Sequence, residues 1–343
     1  MSGLNDHAAA QRDMDNMSLS TAPTMTKTVA VVIPSYRVTA HILQVIAQIG
    51  PEVRRIYVVD DACPDGSGEL VESQCTDPRV KVLRHAVNQG VGGAVLTGYA
   101  AALDDGADII VKVDGDGQMK PALIPYFVAP IARGQADYSK GNRFYNLSHI
   151  RQMPTMRLIG NAALSFMAKL STGYWTLFDP TNGYTAIHAK VARRLDFKQL
   201  SRRYFFETDM LFRLNTVRAV VVDVPMDAYY SDEKSNLRIS RILGEFLLKH
   251  MRNFAKRIFY NYFLRDMTVA SLELVFGALL LAFGVVFGAY HWMHGLAQHT
   301  ATPTGTVMLV ALTTLAGLQL LLAFIGYDVA SQPRRPIYPD LPE

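Results

Sequence analysis

From Thr28 onward, short runs of β-branched and apolar residues alternate with stretches of helical periodicity. "TVAVVIP" (28–34), "VRRIYVVDD" (53–61), "RVKVLRH" (79–85), "ADIIVKVDGD" (107–116), "ADYSKGNRF" (136–144) and "AVVVDVP" (219–225) read as strands, and "FDPTNGYTAIH" (178–188) as a turn and a short strand. "AHILQVIAQIG" (40–50) and "GGAVLTGYAAALDDG" (92–106) read as helices ending at glycine, and "YFFETDMLFRL" (204–214) has helical spacing. Residues 145–175 form a longer mixed stretch with Arg151 and Arg157 on a helix. Strands alternating with helices predict βαβ units, hence an α/β fold with a mainly parallel sheet and flanking helices.

The pattern then changes. Over 238–264 apolar residues recur at Ile239, Ile242, Leu243, Phe246, Leu247, Phe254, Ile258 and Tyr262, with basic residues on much of the other face. This predicts amphipathic helices lying in the headgroup plane of a membrane; packing on the soluble core fits the same spacing. Val269 to Tyr290 carries one charge, Glu273, and Gly305 to Tyr327 carries none. Each is long enough for the ~20 residues that cross a bilayer, with a pair of buried core helices as the competing reading. The loop between them has no Lys or Arg, whereas Lys249, Arg252, Lys256, Arg257 and Arg265 precede the first span and Arg334 and Arg335 follow the second. The positive-inside rule therefore puts both termini and the soluble part in the cytoplasm, at what is expected to be a bacterial inner membrane. Residues 1–26 are polar, lack the apolar core of a signal peptide and are expected to be a disordered tail. The expected organisation is a tail (1–26), a catalytic domain (27–235), interfacial helices (236–266), a transmembrane hairpin (267–330) and a cytoplasmic tail (331–343).

Composition sharpens this picture only a little. Half of the 343 residues are hydrophobic, and Cys63 and Cys75 define neither a disulfide framework nor a zinc spacing. A net charge of +4 is modest, and no nucleic-acid partner is expected. A homo-oligomer is compatible with the sequence.

The chemistry concentrates at strand ends. "VKVDGDGQMKP" (111–121) holds Asp114 and Asp116 two positions apart, which extended backbone would point to one side. Two carboxylates facing one spot call for a cation between them, and Mg²⁺ takes one or two carboxylates plus phosphate oxygens. Pro34, Ser35 and Tyr36 follow the first strand, and Asp60 and Asp61 end the second. Ligands bind beyond the C-terminal strand ends of such sheets, so these groups should share one crevice. No P-loop, G-x-S-x-G or H-E-x-x-H occurs, and "GVGGAV" (90–95) is not a dinucleotide fingerprint. A metal-held diphosphate leaving group, as in a nucleotide-sugar, remains. A phosphate acceptor needs only cations, whereas a hydroxyl acceptor needs a base, for which Glu207 and Asp209 are the candidates.

"VIPSYR", "VVDDACPDGS", "NQGVGGAVLTGY", "KVDGDGQMKP", "YSKGNRF" and "DPTNGY" resemble, in order and spacing, the family 2 glycosyltransferases of GT-A fold, within them the dolichyl-phosphate mannosyltransferase and bacterial polyprenyl-phosphate glycosyltransferase branch. The resemblance covers about residues 28–240, and the two apolar spans fit that branch. It implies an inverting, membrane-bound transferase that moves a hexose from a UDP- or GDP-sugar to polyprenyl phosphate. By that resemblance Pro34, Tyr36, Asp60, Asp61, Asp114 and Gly115 line the nucleotide-sugar pocket. Asp114, Asp116 and Gln118 hold Mg²⁺ or Mn²⁺, and Arg143 and Arg157 meet the acceptor phosphate, with Asp116, Arg143 and Arg157 the expected catalytic set. "DAYYSDEKSNLR" departs from the family pattern, with Tyr229 where an arginine is common, so Lys234 or Arg238 is the candidate for that charge. Two other readings stay open: a transferase acting on a hydroxyl of a lipid-linked glycan, and a non-catalytic membrane scaffold.

Overall fold

The computed structural model describes residues 27–145, 155–226 and 239–342. Lys234, Arg238, Arg151 and the 1–26 tail lie outside the described residues. Seven strands form one sheet: β1 (Val29–Ser35), β2 (Val53–Asp60), β3 (Val80–Arg84), β4 (Ile109–Lys112), β5 (Tyr138–Asn142), β6 (Thr185–His188) and β7 (Val221–Pro225), in the order β3-β2-β1-β4-β6-β5-β7. β1 through β4 pair in parallel, β6 runs antiparallel between β4 and β5, and β5 pairs in parallel with β7. The mainly parallel α/β prediction holds, with β6 as the reversal. Two reversals restore direction, so the C-terminal ends of β1, β2, β4, β5 and β7 and the start of β6 share one edge of the sheet.

Apolar runs such as "VAVVIPS" are buried along their full length because helices cover both faces of a parallel sheet. Besides a single turn at Ala189–Ala192, the described α-helices are α1 (Ile42–Ala47), α2 (Ser67–Gln74), α3 (Val91–Asp104), α4 (Ile124–Ala132), α5 (Thr155–Thr172), α6 (Phe206–Thr216), α7 (Ile239–Phe259), α8 (Val269–Gln298) and α9 (Thr304–Ala330). Helices α2 and α4 are not among the elements expected from the sequence; α4 carries Pro125 in its first turn and Pro130 inside it, and an interior proline argues against a helix locally.

Helix α7 packs on the catalytic domain along one face and leaves an apolar face uncovered. His250, Asn253 and Arg257 are buried against the catalytic domain and Ile258 against Tyr262, Ala270 and Phe324, while Leu247, Leu248, Met251, Phe254 and Phe259 stay exposed. A polar stripe docks and an apolar face remains open. A π-helical turn (Tyr260–Arg265) leads into α8. Helices α8 and α9 are long and apolar enough to cross a membrane, with only 22% and 11% of their most apolar windows buried. That exposure excludes a buried core hairpin. They pack through small residues: a Cβ on Gly317 would lie 2.5 Å from Leu281 N, so only glycine permits this approach.

The hairpin is tied to the catalytic domain at Asp328, one turn from the end of α9. Its carboxylate accepts from Arg257 (2.6 and 3.0 Å), Tyr262 (2.6 Å) and Trp175 (2.9 Å). The segment beyond α9, expected as a plain cytoplasmic tail, folds back onto the sheet. Ile337 and Tyr338 donate backbone N–H groups to buried Asp137, and Tyr338 stacks on His188 at 3.8 Å. Both ends of the hairpin thus lie on the catalytic domain's side.

Candidate active site

β4 ends at Lys112, so Asp114 and Asp116 do not lie on extended backbone as the spacing suggested; they sit in a turn. Gly117 takes the left-handed conformation (φ +79°) that the turn requires. Gly115 is buried, and a Cβ there would press within 3.2 Å of Ile33 and Val38 side-chain carbons, so its role is to seat the turn on β1. Asp116 Oδ1 accepts from Gln118 N at 3.0 Å, which shapes the same turn.

Lys112 is the group that sequence reasoning missed. It is 1% exposed, and its ammonium lies 2.9 Å from Asp114 Oδ1 and 3.2 Å from Glu207 Oε1. Burial works against the lysine's charge, but the two carboxylates outweigh it and push its pKa up. Its one visible signal is a lone lysine inside the buried run "IIVKV". The approach is tight: a Cβ on Gly183 would lie 2.3 Å from Lys112 Nζ and 2.8 Å from Asp114 Oδ2. Asp114 Oδ1 is buried and has the lysine as ion-pair partner, but no aligned hydrogen bond.

Glu207 and Asp209, both in the first turn of α6, point to different neighbours, as a two-residue spacing on a helix dictates. Glu207 faces Lys112 and the Asp114 turn. Asp209 is 5% exposed, accepts from Ser201 N (2.9 Å) and Asn253 Nδ2 (3.1 Å), and ties α6 to α7. It is a structural acid, and the expectation that it could serve as a base is corrected on that ground.

Asp60 and Asp61 end β2 and are 4% and 2% exposed. Asp60 accepts from Cys63 N and Gly68 N, both at 2.7 Å. Asp61 accepts from Gln89 N and Gly90 N at 2.7 Å and contacts His85 Nδ1 at 2.7 Å. These carboxylates hold the loops after β2 and β3 in place beneath the crevice. Pro34 is buried at the end of β1, and Tyr36 just beyond it is 42% exposed.

Arg143 follows β5 and pairs with Asp179 in bidentate fashion, Nε to Oδ2 at 2.7 Å and Nη2 to Oδ1 at 3.0 Å. Asp179 is buried and the arginine is one-third exposed. Burial works to raise the Asp179 pKa, but Lys140 and Arg143 together hold it below the usual carboxylate range. A cleft of about 70 Å³ opens here, with Arg143 and Asp179 beside Phe144, Leu164 and Phe178. Arg157 lies in the first turn of α5, the helix that supplies Leu164.

The side chains present fit a hard divalent cation. Among the described residues no three His, Cys, Asp or Glu side chains gather as a cage. Mg²⁺ and Mn²⁺ at a diphosphate need no such cage, since the ligand's own oxygens complete the shell. Asp116, Gln118 and Asp114, whose Oδ1 is already ion-paired to Lys112, are the candidate donors for it.

The family model "Glycosyl transferase family 2" matches residues 30–196. Undecaprenyl-phosphate mannosyltransferase of Micrococcus luteus is 31% identical over 192 residues, covering 55% of this chain and 78% of the relative. Polyprenol monophosphomannose synthase of Mycolicibacterium smegmatis is 30% identical over 207 residues, covering 59% and 77%. Among solved structures, glucosyl-3-phosphoglycerate synthase from Mycobacterium tuberculosis in complex with UDP superposes with a TM-score of 0.52 at 18% identity, covering 68% of this chain and 80% of that one. The same enzyme has been crystallised with Mn²⁺ and with Mg²⁺ alongside UDP. At that identity the likeness shows the GT-A fold.

Proposed function

Because this chain belongs to the family 2 glycosyltransferases, we propose that it moves a hexose from a UDP- or GDP-sugar to a polyprenyl phosphate at the cytoplasmic leaflet, with inversion. The observation that carries this reading is the cleft at Arg143. Its lining is mixed, with Arg143 and the polar Asn161, Ser165 and Thr181 beside Phe144, Leu164 and Phe178, so it offers a cation and polar groups to a phosphate and apolar contacts at its rim. The polyprenyl-phosphate names of the Micrococcus and Mycolicibacterium relatives support it.

In this reading Tyr36 and the loops fixed by Asp60 and Asp61 receive the nucleotide. Asp114, Asp116 and Gln118 hold Mg²⁺ or Mn²⁺, which when bound neutralises charge on the departing diphosphate. Lys112 fixes Asp114 in its turn, so the carboxylate is oriented before the donor arrives. Arg143 and Arg157 steer the acceptor phosphate, whose oxygen is already ionised near neutral pH and attacks the anomeric carbon without a base. The exposed face of α7 and the α8–α9 hairpin hold the cleft at the bilayer, raising the local acceptor concentration.

The test is incubation of the full chain in bilayers with a panel of labelled nucleotide-sugars and polyprenyl phosphate, with divalent cation or chelator. Cation-dependent formation of a lipid-linked monosaccharide phosphate is expected. Transfer only to hydroxyl acceptors would replace this reading with the second one. That alternative is favoured by one observation, Glu207 held beside Asp114 through Lys112.

A further inference from the structure

Lys140 is the deepest charge near the cleft that the reaction above does not use. It sits mid-strand in β5, is 0% exposed, and its ammonium has no hydrogen-bond partner. Strand register sets it opposite Asp223 of β7 and Thr185 of β6. Four charged groups act on it: Asp179 before β6, Asp223 on β7, Arg143 at the end of β5 and Glu207 on α6. Asp223 Oδ2 accepts from Asn142 Nδ2 and Phe178 N, while its Oδ1 is buried with no hydrogen-bond partner. One buried carboxylate, Asp179, and one half-buried carboxylate, Asp223, are therefore balanced by two cations, of which Arg143 alone lines the cleft.

We propose that Lys140 is a positioning residue that supplies the counter-charge to Asp179 when Arg143 turns from that carboxylate to an anionic group of the acceptor. The inference rests on the reading of Arg143 as the acceptor-phosphate group. A guanidinium that leaves a 1%-exposed carboxylate strands a buried charge, and removing one partner of such a pair is strongly unfavourable. A second cation whose field acts on that carboxylate, as that of Lys140 does without pairing to it, lowers this cost. A lysine ammonium suits this role, being a compact charge on a flexible stem, and here it is committed to no hydrogen bond. The event is an exchange of ionic partners in which no covalent bond changes. Burial pulls the Lys140 pKa down to about 8, against the opposing pull of Asp179 and Asp223. Its charge is thus present below about pH 8 and lost above it.

The experiment compares wild type, Lys140→Met and the charge-balanced Lys140→Met/Asp223→Asn, each as the full chain in bilayers. Lys140→Met should lower kcat/KM for polyprenyl phosphate at least about tenfold, the scale of one lost charge-assisted contact. The nucleotide-sugar KM should stay within about twofold, since the Asp114 turn is untouched. The double variant should recover most of the loss, because it removes one negative charge along with the positive one. Wild-type kcat/KM for the acceptor should decline as pH rises through about 8, and Lys140→Met should lack that limb. An unchanged acceptor kcat/KM in Lys140→Met overturns the proposal. So does a double variant worse than the single one, which marks a purely structural lysine. If Lys140→Met does not fold, the double variant alone decides, with near-wild-type acceptor kinetics and no alkaline limb expected. Wild type that uses only hydroxyl acceptors overturns both this inference and the proposed function. Wild type active on polyprenyl phosphate with indifferent variants overturns this inference alone.

Discussion

Replacing Asp328 by Ala should release the membrane hairpin from the catalytic domain without unfolding either. Asp328 is 4% exposed and accepts two hydrogen bonds from Arg257, one from Tyr262 and one from Trp175. Arg257 is 1% exposed, so the substitution leaves a buried guanidinium whose remaining acceptor is Leu170 O at 2.8 and 3.2 Å. Removing one member of a buried ion pair costs about 3–5 kcal/mol. At about 1.4 kcal/mol per tenfold, the docked-to-released ratio falls by roughly 150- to 4000-fold. The sheet core contains none of these four residues, so the catalytic domain keeps its own stability. Limited proteolysis in bilayer discs should then cut near the π-helical turn, and fluorescence of Trp175 should shift. Nucleotide binding should persist while transfer to long-chain acceptor drops. The double variant Asp328→Leu/Arg257→Met should restore protease resistance, because two apolar residues of similar volume replace a pair that loses hydration on burial. Wild-type proteolysis and kinetics in Asp328→Ala would refute the reasoning.

Asp116→Ala should abolish transfer with an unchanged melting temperature, since the residue lies in a half-exposed turn whose loss opens no cavity; excess chelator should do the same to wild type. Asp209→Ala should destabilise by about 1–3 kcal/mol in thermal unfolding, because Ser201 N and Asn253 Nδ2 lose their acceptor. Glu207→Gln should lower the melting temperature, since it takes one of two carboxylates from buried Lys112, yet its activity on polyprenyl phosphate should exceed that of Arg143→Ala; the reverse order favours a hydroxyl acceptor. His250 and His188 are buried, and burial lowers both pKa values to about 4. Folded values below the ordinary 6.5 mean that their stabilisation is complete above about pH 6.5 and is lost as pH falls toward 4, so the melting temperature should drop across that window, less steeply in His250→Gln. Tyr338→Ala should lower the melting temperature, as it removes the His188 stack and the hydrogen bond to Ile131 O.

Periodicity in the chain fixes most of what is local here. Most β-branched runs became strands within a residue or two of their predicted ends, as the match of "TVAVVIP" to Val29–Ser35 shows, whereas β4 stops at Lys112, well short of Asp116. Two apolar stretches, with Glu273 the one charge in them, became helices long enough to span a bilayer, because length and hydropathy are additive properties of a segment. The Asp114–Asp116–Gln118 loop and Arg143 were legible as motif residues, since their spacing is written in one short stretch each. The partners that set the charge balance were not. Lys112, Asp223 and Asp328 each look like a stray charge in an apolar run, and Lys140 and Asp179 stand in the motifs "YSKGNRF" and "DPTNGY" without a spacing that pairs them. The fold decides their roles by bringing them within a few ångströms in a water-poor interior, where a lone charge is unfavourable and its neighbours determine what it holds. The same holds for α7. Its sequence fitted a membrane face and a core face equally well, and only the packing of His250, Asn253 and Arg257 against the catalytic domain left the apolar side open. Amphipathic period tells that a helix has two faces, but which neighbour covers each is a long-range choice that no local pattern encodes.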